Sequence, residues 1–317
     1  MKQQNESILI AGGAGFIGRH LCAKLLQRNA HKVICVDNLS TGSIENIKEF
    51  LNNPRFVFLE HDITIRFDIE DDISEIYNFA CPASPIQYQK DPIHTFATSV
   101  IGSQRLLEMA RKKDARIMLA STSEIYGDPL VSPQNESYFG NVNTNGPRSC
   151  YDEGKRAAET LFHDYNKVYG VDTRIIRIFN TYGPYMSVED GRVVPNFIQQ
   201  ALKNIPLTLN GDGKQTRSLQ YIDDLISGIN CVMKDGIPHT PINLGNPNEM
   251  SILELANKII KLTKSNSTIS YQSLPKDDPK QRNPDITLAK RLLCGWHPLI
   301  KIDEGLLKTI EFFRLSI

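Results

Sequence analysis

A glycine-rich segment near the start of the chain constrains the fold more than any other feature. Gly12-Gly13-Ala14-Gly15-Phe16-Ile17-Gly18 follows the apolar run 8–11 and leads into an amphipathic stretch. The spacing G-x-x-G-x-x-G between a strand and a helix is a variant of the dinucleotide fingerprint. In that fingerprint the first glycine permits a tight turn, the second lets the backbone approach a pyrophosphate, and the third allows close packing of helix on strand. We therefore expect Gly12, Gly15, Phe16, Ile17 and Gly18 to bind a dinucleotide.

The strand after this helix ends on an acidic residue, Asp37, which lies nineteen residues beyond Gly18. A carboxylate at this place suits the two ribose hydroxyls of an adenosine and would repel a 2′-phosphate, which favours NAD over NADP. The triplet His61-Asp62-Ile63, after the third predicted strand, is a candidate border of the adenine. The alternatives are a glycine-rich turn beside a surface aspartate and, for the triplet, an ordinary turn at the end of a strand.

The first half of the chain alternates short apolar runs with helical patterns, and the second half is richer in proline, glycine and asparagine. Strands are predicted at 7–11, 32–37, 55–60, 75–80, 116–121 and 173–179, and helices at 16–28, 95–113, 151–169, 194–203, 221–234, 252–263 and 304–315. This order predicts an α/β fold, a doubly wound parallel sheet of Rossmann type with a smaller, interleaved α/β substrate domain. We expect the cofactor domain to span 1–179, with 219–240 packing back onto it, and the substrate domain to comprise 180–218 and 241–317.

Length, charge and cysteine usage exclude several classes of function. The 317 residues suffice for about two domains. Lys plus Arg and Asp plus Glu both number 36, so a neutral chain is a poor candidate for binding nucleic acid or a membrane surface. No apolar run approaches the roughly 18 residues of a membrane helix, and the polar first residues leave no room for a signal peptide. Six scattered cysteines favour reduced thiols in the cytoplasm over disulfides or a metal site.

The sequence Tyr151-Asp152-Glu153-Gly154-Lys155 places a tyrosine and a lysine four residues apart, on one face of a predicted helix. Tyrosine, with an ordinary pKa of about 10, is a poor base at neutral pH. A nearby ammonium and a nicotinamide cation would favour the phenolate and lower the pKa of Tyr151. We therefore expect this pair to be catalytic and to contact the cofactor. The alternative is a half-buried tyrosine beside a solvated lysine.

Polar residues follow the fifth predicted strand in Leu119-Ala120-Ser121-Thr122-Ser123-Glu124. The carboxyl ends of strands are where doubly wound folds bind ligands. Thr122 or Ser123 could hydrogen-bond a substrate hydroxyl, and Glu124 could serve as a second acid or base. The alternative is that the hydroxyls end the strand and Glu124 caps the next turn.

These segments resemble the extended short-chain dehydrogenase/reductase family (NAD-dependent epimerase/dehydratase family) and, within it, the UDP-glucuronate decarboxylase (UDP-xylose synthase) group. The resemblance covers roughly residues 7 to 313. It rests on GGAGFIG, VDNLSTG, ACPASPIQYQKDP, LASTSEIYGDP, GPRSCYDEGKRAAE, RIFNTYGP, DGRVVPNFI, GDGKQTRSLQYIDD, NLGNP and DDPKQRNPDI. The pair Ser123-Glu124 is similar to the decarboxylase pattern, whereas 4,6-dehydratases usually carry Asp-Glu there and 4-epimerases usually lack the acid.

The resemblance implies a redox-neutral reaction on a nucleotide sugar. NAD would take a hydride from C4 of the sugar while Tyr151, held by Lys155, takes the hydroxyl proton. The 4-keto acid would lose CO2, and the returning hydride would give UDP-xylose. Glu124 with Ser123 would act on ring distortion and proton transfer near C5, and Arg282 would lie near the substrate carboxylate, where a cation stabilises a developing enolate.

The resemblance also implies the remaining site residues. The cofactor set adds Asn38, Ser40, Thr41 and Gly42 to Asp37, Asp62 and Ile63. The substrate set comprises Pro82, Ser84, Tyr88, Asn180, Arg192, Arg217 and Arg282. Four residues depart from the family pattern: Arg19, Cys81, Ala97 and Asn210, the last of which stands where an aromatic residue usually helps to hold the uracil.

Two other functions stay open at this point. One is a 4-epimerase or 4,6-dehydratase, which would share the oxidation by Tyr151. The other is a regulatory protein that binds a dinucleotide without turnover, for which loss of Tyr151 or Lys155 would be typical. We also expect a homodimer, because helices 95–113 and 151–169 match a family pair that forms a four-helix bundle. In the second helix Ala157, Ala158, Leu161, Phe162 and Tyr165 are candidates for that contact.

Overall fold

The computed structural model describes residues 7–28, 31–234, 236–273 and 281–316. The strands are β1 Ser7–Ala11, β2 Lys32–Asp37, β3 Phe56–Glu60, β4 Ile73–Asn78, β5 Arg116–Thr122, β6 Thr173–Ile178, β7 Thr181–Tyr182, β8 Leu207–Asn210, β9 Thr216–Ser218, β10 Gln220–Tyr221, β11 Pro241–Leu244, β12 Glu249–Ser251 and β13 Ile269–Gln272. The α-helices are α1 Phe16–Gln27, α2 Ile44–Ile47, α3 Pro85–Tyr88, α4 Pro92–Ala97, α5 Ser103–Lys113, α6 Ser149–Tyr169, α7 Val193–Leu202, α8 Ile222–Val232, α9 Ile252–Thr263, α10 Thr287–Leu292 and α11 Ile302–Ser316. Short 3₁₀ helices lie at Lys48–Phe50 and Ser123–Tyr126, and a π-helical turn lies at Thr98–Gly102.

Seven parallel strands form the central sheet in the order β11-β6-β5-β4-β1-β2-β3. Every residue of β1 is buried, as expected of a near-continuous apolar strand covered on both faces. The chain runs outward from β1 to β3 and then returns to β4 on the other side of β1. This reversal opens a crevice at the carboxyl ends of β1 and β4, the place where such sheets bind ligands. The predicted doubly wound Rossmann fold is confirmed.

Two apolar cores cover the two faces of the sheet. One joins α1 and α8 to the sheet and continues into the helices that follow β6. The other packs α5 and α6 against the opposite face, with Leu106, Leu107, Ala158 and Phe162 fully buried. Helix α6 therefore has one face in this core, and its first turns project to the carboxyl edge of the sheet.

The predicted long helix 95–113 starts earlier and is interrupted. Helix α4 begins at Pro92, after Asp91 accepts a hydrogen bond from the His94 amide (2.9 Å). The π-helical turn follows, and α5 continues from it. At its end a side chain on Gly102 would place Cβ 2.5 Å from Ile63 Cδ1, so a small residue is needed where the helix passes the cofactor-side strand end.

Residues after β6 build small paired strands beside the sheet. β7 pairs with β10, β9 with β12 and β8 with β13. The sequence does not predict the seventh strand of the sheet, β11, because four residues are too few to show a period. β11 lies in the range assigned to the substrate domain, yet it pairs with β6. The domain division otherwise stays a prediction. Residues 277–280 of the DDPKQRNPDI segment lie outside the described part of the chain. Within that part, no helix combines the length and apolarity needed to cross a bilayer.

Candidate active site

The glycine loop between β1 and α1 fits tightly against neighbouring backbone. A side chain on Gly12, whose φ is +80°, would place Cβ 2.6 Å from the carbonyl carbon of Phe79. At Gly18 the same atom would lie 2.1 Å from the carbonyl oxygen of Gly12, whereas at Gly15 the nearest atom lies 3.3 Å away. Helix α1 starts at Phe16 without a side-chain cap, so its first amide groups face the loop. Bare backbone and a helix N-terminus suit a pyrophosphate.

A cavity of about 70 Å³ continues from this loop along the carboxyl ends of β1, β2 and β4. Asp37 lies at its wall and accepts hydrogen bonds from the amides of Ala14 and Leu39, both at 2.9 Å. Burial raises the pKa of Asp37, and the backbone hydrogen bonds offset part of that increase. Of the predicted cofactor residues, this cavity is lined by Gly12, Gly15, Asp37, Asn38, Ser40, Thr41, Gly42, Asp62 and Ile63.

Asp62 is held by four hydrogen bonds at this end of the site. Thr64 donates its amide at 2.8 Å and its hydroxyl at 2.7 Å, Asn38 donates at 3.1 Å, and His94 Nε2 lies 2.7 Å away. Burial acts to raise the pKa of Asp62, but the hydrogen bonds outweigh it and lower the pKa to about 2. The sequence did not point to His94, because its partner lies 32 residues away.

Tyr151 and Lys155 are both buried, on the first turns of α6. Lys155 donates from Nζ to the carbonyl of Ala120 at 3.0 Å, and Nζ lies 5.9 Å from the centroid of the Tyr151 ring. Burial raises the pKa of Tyr151, the Thr122 hydroxyl offsets part of this, and burial lowers the pKa of Lys155. Desolvation therefore dominates the Tyr151 pKa in the protein alone. The expected lowering of this pKa by Lys155 together with the cofactor's positive charge stays a prediction.

A larger cavity of about 640 Å³ opens from Tyr151 toward the strands that follow β6. It is shaped by backbone segments far apart in sequence, including the end of β5 and α7. The predicted site residues that line it are Ile17, Thr122, Ser123, Glu124, Tyr151, Lys155, Asn180, Arg192, Arg217 and Arg282. One continuous space therefore joins the predicted catalytic and substrate-binding residues.

Glu124 is held between two arginines in this cavity. Arg282 contacts both carboxylate oxygens through Nη1 and Nη2, and Arg148 contacts Oε2 through Nη2. The Glu124, Arg148 and Arg282 side chains are only 16%, 13% and 7% exposed. Burial lowers the pKa of Arg282 to about 9, which leaves it cationic at neutral pH. The interpretation of Glu124 as a mere turn cap does not account for these contacts.

Two more cations lie farther along the cavity. Arg192 is paired with Asp190, with Nη2 at 2.6 Å from Oδ2. Burial acts to lower the pKa of Arg192, but the charge and hydrogen bond of Asp190 together with the Tyr151 phenol raise it. Arg217 is 9% exposed and donates to the carbonyl of Thr216 at 2.9 Å. Together with the half-buried Asn180, these residues give the far part of the cavity the chemistry to receive phosphate oxygens.

The remaining predicted residues lie at the margins. Pro82 lines the smaller cavity, and Phe16 and Ser84 line a third cavity of about 350 Å³ next to the glycine loop. Tyr88 does not line any of these three cavities: its ring stacks on Tyr151 with the centroids 5.1 Å apart, and its buried hydroxyl has no hydrogen-bond partner within the described part of the chain. The sequence missed Arg148 and the lining residues Gln89, Thr208, Gln215 and Gln272. Arg148 could have been found from its place three residues before Tyr151.

A glycine cradle that leads to a buried Tyr–Lys pair at the carboxyl edge of a doubly wound sheet defines the chain as a dinucleotide-dependent enzyme of the short-chain dehydrogenase/reductase type. The sequence model of the NAD dependent epimerase/dehydratase family matches residues 8–245. The chain belongs to this family, and NAD is its cofactor.

Curated relatives and solved structures show which members of this family the chain is similar to. The chain is 51% identical over 315 residues to UDP-glucuronic acid decarboxylase 6 of Arabidopsis thaliana, covering 99% of this chain and 91% of that protein. It is 48% identical to UDP-glucuronic acid decarboxylase 1 of Xenopus tropicalis, covering 100% and 74%. The structure of a UDP-glucuronic acid 4-epimerase from Bacillus cereus, in complex with UDP-glucuronic acid and NAD, matches with a TM-score of 0.88 and 29% identity over 98% of this chain and 100% of that one.

Proposed function

We propose that this protein is a UDP-glucuronate decarboxylase, which converts UDP-glucuronate into UDP-xylose and CO2. The observation that carries the proposal is the Glu124–Arg282 pair beside Tyr151 and Lys155 in one cavity. A buried guanidinium next to Tyr151 and Lys155 suits a sugar that bears a carboxylate. Identity of about 50% over the full chain to curated UDP-glucuronic acid decarboxylases supports the same reaction.

The glycine loop with Asp37 and Asp62 is proposed to hold the cofactor. NAD supplies the hydride acceptor at C4 of the sugar and later the hydride donor. Tyr151 removes the proton of the C4 hydroxyl, and Lys155 orients Tyr151. The Thr122 hydroxyl, which acts to lower the pKa of Tyr151, is proposed to bind the same substrate oxygen.

Loss of CO2 follows from the position of the carboxylate. Once C4 is a ketone, the C5–C6 bond breaks, CO2 leaves, and the bonding electrons move to C5 and the C4 oxygen as an enolate. Tyr151, now protonated, donates a hydrogen bond to that oxygen, and the cations of Arg282 and Lys155 stabilise its charge. Glu124 and Ser123 are proposed to govern the delivery of the solvent-derived proton that takes the place of CO2 at C5. Asn180, Arg192 and Arg217 are proposed to bind the diphosphate.

The test is incubation of the purified protein with UDP-glucuronate and NAD, with CO2 release measured and the sugar product identified by NMR. We expect UDP-xylose without net NADH. UDP-galacturonate as the product would instead assign the chain to the 4-epimerases, and absence of CO2 would refute decarboxylation. The epimerase and dehydratase alternatives have weaker support, since matched structures of those enzymes share only 24–29% identity with this chain.

We further propose that the protein is a homodimer and works in the cytoplasm. Exposed apolar side chains beside α6 support the dimer: Ile93 is 80% exposed and Ile101 43%. Three of the five predicted contact residues, Ala158, Phe162 and Tyr165, are buried in the chain's own core and are not available to a partner. The six cysteines are free thiols, which is typical of a reducing compartment.

A further inference from the structure

Glu124 has two cationic partners of different origin. Arg282 belongs to a loop that three hydrogen bonds of 2.8–2.9 Å join to Gln134. The Gln134 amide donates to the Asn283 carbonyl, the Asp285 amide donates to the Gln134 carbonyl, and the Asn283 amide donates to Gln134 Oε1. Arg148 directly precedes α6, and its Nε lies 3.8 Å from Asp152 Oδ2 on the first turn of that helix. Arg148 is therefore anchored from behind by a second carboxylate, on the same helix that carries Tyr151.

Arg282 has donor capacity beyond its contact with Glu124. Its two terminal nitrogens are taken by the two oxygens of Glu124, while its buried Nε has no hydrogen-bond partner among the residues that the structure describes. A guanidinium can present five N–H donors, and an unsatisfied buried donor is costly. Glu124 thus occupies the group that, under the proposed function, receives the carboxylate of the substrate.

Glu124 occupies both terminal nitrogens of Arg282, the fork that a second carboxylate would need for the same bidentate contact. A substrate carboxylate that takes up this bidentate contact must therefore displace Glu124 from it. Arg148 offers Glu124 a second cation that is already in contact with Oε2. The displaced Glu124 would therefore stay ionised and in place.

We propose that the substrate carboxylate replaces Glu124 on Arg282, and that Arg148 is the positioning residue that retains Glu124 during this exchange. The proposal rests on the proposed function, because it requires a sugar nucleotide that carries a carboxylate. Arg148 acts through Glu124 and is not itself assigned a contact with the reacting atoms.

The test measures what the carboxylate contributes to binding. UDP-glucuronate and UDP-xylose, which lacks the carboxylate, are titrated calorimetrically into NAD-loaded protein carrying Tyr151→Phe, so that no turnover occurs. The readout is the ratio of the two dissociation constants. Relative to Tyr151→Phe alone, we expect Glu124→Gln to shift this ratio about tenfold in favour of UDP-glucuronate, because the variant removes the competing carboxylate. Arg148→Gln should shift the ratio about tenfold against UDP-glucuronate, because Glu124 then has Arg282 as its remaining cationic partner.

The double variant separates exchange from simple attraction between Arg148 and an anion. If Arg148 acts through Glu124, Arg148→Gln has little further effect on the ratio once Glu124 is Gln; a simple attraction would persist. An additive double variant, or an Arg148→Gln effect equal for both ligands, overturns the proposal. Arg148→Lys, which keeps the charge, guards against misfolding and should restore part of the ratio.

Failure of the proposed function is visible separately. It shows in the unaltered protein as no CO2 from UDP-glucuronate. Failure of the exchange shows as an unchanged ratio in variants of a protein that does release CO2.

Discussion

Tyr151 lies in surroundings that oppose its ionisation. Its side chain is buried, Tyr88 covers one face of its ring, and Lys155 is turned toward the carbonyl of Ala120. The proposed function needs the Tyr151 phenolate as the proton acceptor near neutral pH, and in these surroundings the phenolate needs the positive charge of the bound cofactor. The contribution of the Tyr151 hydroxyl to catalysis is tested by removing that oxygen.

We expect Tyr151→Phe to lower kcat for UDP-glucuronate by about 10³-fold, because general acid–base catalysis is lost. The dissociation constant for NAD should change little. Tyr165→Phe is the matched control, since Tyr165 lies near the other end of α6 and its hydroxyl donates a hydrogen bond to Glu108 of α5. Turnover by Tyr151→Phe at the rate of that control would contradict the assigned role.

The pKa of Asp62 makes a prediction about stability. Its pKa in the folded protein, about 2, lies below the ordinary value, so its hydrogen bonds stabilise the fold above about pH 4 and lose this effect as the pH falls toward 2. We expect Asp62→Asn to lower the free energy of unfolding by about 1 kcal/mol at neutral pH, with a difference that shrinks on acidification. Urea unfolding at several pH values measures it.

The control for this experiment is Asp68→Asn. The Asp68 side chain is 64% exposed, and its ion pair with Lys112 spans 3.2 Å in solvent. Exposed pairs contribute little, so its free energy of unfolding should follow that of the wild type. A difference for Asp62→Asn that does not vary with pH would show that the carboxylate charge is not the cause.

At the scale of elements, the turn from β1 into α1 separates two uses of glycine. Gly18 is needed for packing, since a methyl group there would meet backbone at 2.1 Å. At Gly15 a methyl group would lie 3.3 Å from the carbonyl oxygen of Gly12, a tight contact that a small shift relieves, and it would face the space assigned to the pyrophosphate. The same substitution should therefore have different consequences three residues apart.

We expect Gly18→Ala to lower the free energy of unfolding without cofactor by about 2 kcal/mol, because backbone cannot yield easily. Gly15→Ala should keep that free energy within about 0.5 kcal/mol and weaken NAD binding about tenfold or more. Denaturant unfolding and NAD titration give both quantities. Equal stability losses in the two variants would show that Gly15 also serves packing.

At the scale of the whole molecule, the apolar surface beside α6 bears on assembly. We expect the protein to run as a dimer by light scattering at micromolar concentration. Ile93→Asp combined with Ile101→Asp should give a monomer, because charges would be buried in the interface. The control is Leu299→Asp, since Leu299 is 72% exposed before α11. A wild-type monomer would refute the dimer, and an unaffected double variant would place the interface elsewhere.

Several features of this protein are determined by the sequence alone. The glycine loop, the end of β2 at Asp37 and the Tyr151–Lys155 spacing are local patterns, set by the strand and helix periods and by backbone sterics. They predict the doubly wound sheet, the dinucleotide and the catalytic helix, and the structure and the family confirm the fold and the cofactor.

Other features were decided only by the tertiary structure. The Glu124–Arg282 contact joins residues 158 positions apart, and the Asp62–His94 contact joins residues 32 apart. The seventh strand is defined by its neighbour β6, and the high pKa of Tyr151 is set by burial. Pairing between distant segments and desolvation depend on what the folded chain brings together, and neither leaves a local pattern. The sequence therefore supplied the catalytic groups, and the fold determined which of them meet.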